Sequence, residues 1–108
     1  MPRRWSNADL DGLIEEVLVD AYDDSEQLSS FECAFDEVRL PVAAAALGMA
    51  CSLVAVRFNG DERRGLEGEI VLDGALHRMS LLDVVVTDDG HDAARLLAAF
   101  RRWWVPPG

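Results

Sequence analysis

The sequence predicts an α+β domain in which two helices precede a small, curled antiparallel sheet or barrel and a third helix closes the chain. Two observations lead to this fold class. Apolar residues recur with a helical period over the first forty residues, and the next stretch consists of short β-rich runs separated by tight turns. We therefore divide a single domain of 108 residues into an acidic helical segment (1–40), a β-barrel-like segment (41–87) and a C-terminal helix with its tail (88–108).

The first helix is predicted from about Asn7 to Tyr22. Ser6, followed three residues later by Asp9, indicates a capping box in which Asp replaces the usual Glu. The apolar positions recur at spacings of three and four, which places them on one helix face: Leu10, Leu13, Ile14, Val17, Leu18 and Ala21.

A second helix is predicted after residues 23–25, which favour caps and turns. We expect Asp24 or Ser25 to cap it. Leu40-Pro41 should end it, because a residue before proline avoids the helical conformation. Its apolar stripe consists of Leu28, Phe31, Phe35 and Val38.

Four or five short strands are predicted in the middle of the chain. The β-forming runs are 52–58, 67–72, 75–82 and 84–86, with 42–46 as a further candidate. Asn59-Gly60 is a strong turn signal, and Asp73-Gly74 is the kind of pair preferred in two-residue hairpin turns. Short strands with tight turns favour a small antiparallel sheet or barrel.

The last helix is predicted from Ala93 to Trp104, where Ala, Leu and Arg dominate. Asp88-Asp89-Gly90 leads into this helix, and the prolines at 106 and 107 stop it.

The chain is strongly acidic, with a formal net charge of −10. We therefore expect neither a nucleic acid nor an anionic membrane as partner, because phosphate binding relies on a basic surface, and we favour cations or basic proteins. No apolar run is long enough to span a membrane. Acidic residues from Asp9 onward occupy the region where a signal peptide is apolar. The cytoplasm is thus the expected location.

The acidic residues concentrate at the junction between the two predicted helices. Eleven of the twenty lie in the first 39 residues. A helix that reaches residue 22 places Glu16, Asp20 and Asp23 on one strip, near final carbonyl oxygens that lack helical partners. Asp24 and Glu26 follow at the next helix N-terminus, where negative charge is favoured. Carboxylates beside free carbonyl oxygens are typical ligands of calcium, which tolerates irregular geometry better than magnesium does.

This junction is not an EF-hand. Residues 20–26 lack both the alternating acids and the glycine at the sixth position of that loop. The alternative for such a charge run is an acidic helix face that only contacts water.

Several short motifs occur in a characteristic order along nearly the whole chain. An acidic Val-Asp-Ala-Tyr segment starts at Val19, and Glu26-Gln27 follows. The series continues with an aromatic-rich helix and with Pro41 between two apolar residues. It ends with the segments 59–66 and 82–84 and a closing helix that contains Trp103-Trp104. In this order the chain resembles the cyanobacterial calcium-binding protein family and its actinobacterial relatives.

The resemblance implies calcium binding without catalysis, and an α+β fold with a small SH3-like antiparallel β-barrel. Asp20 and Glu26 match the family pattern residue by residue, whereas Asp23 and Asp24 match it only in being acidic. The residues that flank Pro41 are aromatic in the family and apolar here, and the segment before them is one residue shorter. These differences imply repacking at the end of the second helix.

The remaining reactive side chains do not suggest another site. His77, His91, Cys33 and Cys51 show no paired spacing, so zinc is not expected. Both cysteines are expected to be buried thiols. The serines of the second helix have no histidine nearby in sequence to activate them, so we expect no hydrolase. The tryptophans are expected to pack the last helix, with an exposed aromatic patch as the alternative.

The sequence thus predicts a non-enzymatic protein that binds the calcium ion reversibly, as a buffer or a sensor. The predicted ligands are Asp20, Asp23, Asp24 and Glu26, with Glu16 as a lesser candidate. The alternative is a metal-independent protein–protein interaction module that uses the acidic face or an edge of the barrel, with a partner of unknown identity.

Overall fold

The computed structural model describes residues 5–88 and 90–104. In this part of the chain three α-helices and five β-strands follow one another in the predicted order. The elements are α1 (Asn7–Val17), α2 (Asp24–Glu37), β1 (Val42–Ala46), β2 (Met49–Phe58), β3 (Leu66–Leu72), β4 (Ala75–Ser80), a 3₁₀ helix (Leu81–Asp83), β5 (Val84–Val86) and α3 (Asp92–Trp103). None of the described helices is long and apolar enough to cross a bilayer. Two of the sequence motifs, Asp89 and the prolines at 106 and 107, lie outside the described residues.

The five strands form one antiparallel sheet with the order β4-β3-β2-β1-β5. The predicted barrel is not confirmed, because within residues 5–88 and 90–104 no ladder joins β4 to β5 and the sheet stays open. The connection between these two edge strands is the 3₁₀ helix, which takes up residues 81 and 82 that were predicted to extend β4. Ser80 starts this turn, since its hydroxyl accepts a hydrogen bond from the Leu82 N–H.

One hairpin begins earlier than predicted. β1 and β2 are joined by Leu47-Gly48, and both residues have positive φ, 54° and 78°. The Asp73-Gly74 turn, which was predicted, has the same signature with φ of 52° and 80°. Leucine is not a typical turn residue, so Gly48 is a weaker turn signal here than the Asp73-Gly74 pair. As a result β2 starts at Met49 instead of residue 52.

A single apolar core joins the helices to the sheet. Alternate residues of β1, β3 and β5 are buried against it. Phe31 and Phe35 of α2 and Phe100 of α3 are completely buried. The Phe31 ring lies 5.3 Å from that of Phe100 in an edge-to-face arrangement and 5.0 Å from that of Trp103. Trp104 is half-buried and stacks on Phe100, so the two closing tryptophans pack the last helix as predicted.

The first and last helices are tied together by an ion pair. Arg102 Nε donates to Asp11 Oδ1 at 2.7 Å, and Arg102 also donates from Nη2 to Oδ2 at 3.2 Å. The hydrogen bond from Arg102 holds the pKa of the Asp11 carboxyl below its usual range, and the same bond raises the pKa of Arg102. Both groups lie on the surface, so the pair makes a screened contribution to stability.

This ion pair predicts a specific pH dependence. Because the folded pKa of Asp11 lies below its ordinary value of about 3.9, its contribution is fully present above about pH 4 and disappears as pH falls through the folded value. Asp11→Asn and Arg102→Gln should each lose this contribution, and the double variant should lose no more than the larger single loss. Urea unfolding of the unmodified chain and the three variants across the acid range measures these losses in the free energy of unfolding. A loss in Asp11→Asn that persists below the folded pKa would contradict it.

Two glycines with positive φ lie in different surroundings. Gly65, with φ of 67°, lies against the Trp104 ring, and a methyl group there would be 3.2 Å from two ring carbons. Gly74, with φ of 80°, has open space around it. Alanine at either position adds about 1–2 kcal/mol of left-handed backbone strain. Gly65→Ala should therefore lower the free energy of unfolding by more than Gly74→Ala, as urea titrations can measure. Equal losses would show that Trp104 moves aside freely.

Candidate site at the junction of the first two helices

The first helix ends five residues earlier than predicted. α1 stops at Val17, with the Leu18 N–H still donating to the Ile14 carbonyl. Its last turn contains acidic residues and no basic one, which opposes the helix dipole. The chain then turns so that Ala21 is buried while Tyr22 is 83% exposed. The prediction that Glu16, Asp20 and Asp23 lie on one helix face is therefore wrong, because Asp20 and Asp23 come after the end of α1.

The second helix is capped by Asp23, not by Asp24 or Ser25 as predicted. Asp23 Oδ1 accepts a hydrogen bond from the Glu26 N–H at 2.8 Å, and Glu26 Oε1 accepts one from the Asp23 N–H at 3.3 Å. This is a reciprocal capping box with Asp at the cap. Two predicted calcium ligands thus lie in direct contact, and each keeps one carboxylate oxygen outside the capping bonds.

The other predicted ligands are not joined to this pair. Asp24 occupies the first turn of α2, and Asp20 lies in the turn between the helices; both are exposed. Glu16, in the last turn of α1, lines a groove between the three helices. Within residues 5–88 and 90–104, no hydrogen bond or ion pair involves the carboxylates of Glu16, Asp20 or Asp24.

A further carboxylate reaches the junction from the β2–β3 loop. The Ser25 hydroxyl donates to Glu62 Oε2 at 3.0 Å, across 37 residues of sequence. The loop is folded by its own side chains, since Asn59 Oδ1 accepts from the Asp61 N–H and Asp61 Oδ1 accepts from the Arg63 N–H. The Asn59-Gly60 signal predicted a turn here, and nothing in the sequence pattern placed this loop beside α2.

The donor chemistry of the junction suits calcium, but its arrangement is not a preformed site. Carboxylate oxygens are hard ligands, and calcium takes six to eight oxygen donors. Within residues 5–88 and 90–104, no three His, Cys, Asp or Glu side chains are grouped to hold a metal ion. The residues present therefore fit calcium by type and not by position.

Other side-chain predictions have mixed outcomes. Cys33 is exposed and not a buried thiol, because it lies on the open side of α2. Cys51 is half-buried, and burial raises the pKa of its thiol. His77 is exposed on edge strand β4. His91 caps α3, with its Nδ1 accepting from the Ala93 N–H at 3.0 Å.

Comparison with known proteins gives a likeness at the level of fold. The structure is similar to the crystal structure of Anabaena CcbP, with a TM-score of 0.73. The superposition covers 95% of this chain and 94% of that chain, at 16% sequence identity. No protein-family model matches the sequence, and no curated protein matches it. At this identity the likeness establishes the arrangement of helices and strands.

Proposed function

We propose that this chain binds the calcium ion reversibly, without catalysis, at the junction between α1 and α2. The observation that carries the proposal is the uncompensated charge of this junction. Residues 20–26 contain four carboxylates, and none of them forms an ion pair with a described arginine. Glu62, which is hydrogen-bonded to Ser25, brings a fifth carboxylate to the junction.

The proposed ligands are Asp20, Asp23, Asp24 and Glu26, with Glu16 a lesser candidate. Like charges held together repel one another, and a divalent cation removes that repulsion. Because no three of these side chains are grouped in the structure, binding requires the carboxylates to approach one another. A metal site of this kind orders the junction as it fills, which suits either a buffer or a sensor.

The likeness to known proteins supports the same proposal. Anabaena CcbP is a cyanobacterial calcium-binding protein, and the order of motifs in this sequence resembles that family. In this chain the Val-Asp-Ala-Tyr segment, which includes Asp20, lies between the end of α1 and the start of α2. We infer membership of that family from the motif order and the fold together.

Direct calcium titration tests the proposal. Isothermal titration calorimetry of the chelator-treated protein should give saturable binding for calcium and weaker binding for magnesium. In the junction variant, Asp20→Asn, Asp23→Asn and Asp24→Asn are combined. It should lose this binding while remaining folded, because asparagine caps a helix about as well as aspartate.

The control removes the same amount of charge elsewhere. Glu15→Gln, Asp36→Asn and Asp73→Asn, which we call the surface control, change three exposed acids outside the junction. Its calcium binding should match that of the unmodified chain. Equal weakening in both variants, or weak binding that salt abolishes, would show general charge screening in place of a site.

A further inference from the structure

An open groove runs between the three helices and shares Glu16 with the predicted calcium ligands. α1 packs mainly on α3 and only lightly on α2, which leaves a space of about 660 Å³ between them. Its floor is apolar and is formed by Leu13, Val17, Ala34, Val38 and Leu96. This volume lies within the range of about 300–1,000 Å³ that is typical of binding clefts.

The rim of this groove is acidic. One carboxylate comes from each helix: Glu16 from α1, Glu37 from α2 and Asp92 from α3. Among the described residues of the lining, Arg95 is the one that is basic. In the described part of the chain no ion pair or hydrogen bond involves these three carboxylates or the Arg95 side chain. An adjoining depression adds Asp88 and Arg39, which leave the excess of negative charge unchanged.

We propose that this groove is the docking site for a basic amphipathic helix of a partner protein. The apolar floor suits one face of such a helix, and three free carboxylates on the rim suit lysine or arginine at its edges. The inference does not depend on calcium binding at the junction.

The backbone around the groove favours a helical occupant over an extended one. The walls are helices whose own N–H and C=O groups are paired within them, so they offer no edge to an added strand. An extended peptide would leave its main-chain groups unpaired on an apolar floor, whereas a helix pairs its own. A second copy of this acidic chain would bring like charges together, since each copy has a net charge of −10.

Cys33 provides a local measurement of occupancy. This exposed thiol lies in the groove lining, and a docked helix would cover it. Cys51 is half-buried in β2 and outside the groove, so it serves as an internal reference for alkylation by iodoacetamide followed by mass spectrometry.

The experiment uses the full chain in EDTA, so that the calcium proposal does not affect its outcome. The probe is a leucine–lysine amphipathic helix of about fourteen residues, roughly four turns. A leucine–glutamate helix of the same pattern is the charge control. The basic peptide should bind saturably in calorimetry and slow the alkylation of Cys33 without changing that of Cys51. The acidic peptide should do neither.

Variants locate the binding. Combining Glu16→Gln, Glu37→Gln and Asp92→Asn should weaken the basic peptide about tenfold, because each exposed charge pair contributes modestly. The surface control, which removes equal charge, should bind normally. Ser30→Trp, which places an indole in the open groove, should abolish Cys33 protection. Binding without protection of Cys33, equal weakening in both charge variants, or a dimer that protects Cys33 without peptide would overturn the proposal.

Discussion

In calcium at about one hundred times its dissociation constant, the protein should unfold roughly 10–20 °C higher than in EDTA. A ligand that binds only the folded state at this concentration adds about 2.7 kcal/mol to the free energy of unfolding. For a domain of this size each kcal/mol raises the melting temperature by roughly 4–8 °C. Thermal unfolding followed by circular dichroism measures the shift, and magnesium should give a smaller one because it holds its water more tightly.

Asp23→Asn separates the capping of α2 by Asp23 from its proposed role as a calcium ligand in this experiment. Asn preserves the capping bond to the Glu26 N–H, so the melting temperature in EDTA should stay close to that of the unmodified chain. The carboxylate charge is lost, so the shift with calcium should shrink. An unchanged calcium shift in Asp23→Asn would assign Asp23 to capping alone, and equal shifts with both ions would contradict a calcium site.

Phe31→Ala should lower the free energy of unfolding by about 3–5 kcal/mol. The Phe31 side chain is completely buried, and its ring contacts both Phe100 and Trp103. Truncation removes this burial and leaves a cavity where α2 meets α3. Because a domain of this kind has only about 5–15 kcal/mol of stability, the melting temperature should fall by on the order of 20 °C.

Tyr22→Ala is the matched control for the loss of an aromatic ring. Tyr22 is 83% exposed, so its truncation should change stability little. Urea unfolding of both variants, followed by circular dichroism, gives the comparison. A loss below about 1 kcal/mol in Phe31→Ala would mean that the helices close over the cavity.

Most of the fold could be predicted from local patterns. The capping box of Ser6 and Asp9 is confirmed, with the Asp9 N–H donating to Ser6 Oγ at 3.1 Å. The Asp73-Gly74 hairpin is also confirmed, because its turn chemistry is local. The end of α1 was missed, since the apolar period continues through Ala21 while the chain has already left the helix. Ala21 is buried because the turn after α1 packs it against the rest of the protein, and not because it lies on the apolar face of the helix.

The candidate site was predicted less completely than the fold. The acidic composition of residues 20–26 was visible in the sequence, and so was a capping residue nearby, although Asp23 takes that role. The approach of Glu62 depends on how the β2–β3 loop packs beside α2, which no local pattern encodes. The exposure of Cys33 also depends on tertiary packing, because it follows from the gap between α1 and α2, which no local pattern encodes.

The loop that carries Glu62 also ends beside an indole. Glu62 is bonded to Ser25 at the start of α2, and three residues later Gly65 lies against the Trp104 ring. If an ion at the junction displaces Ser25, the hydrogen bond to Glu62 offers a route by which the movement would reach the loop and the surroundings of that ring. Intrinsic fluorescence excited at the tryptophans should then report ion occupancy of the junction without an added dye.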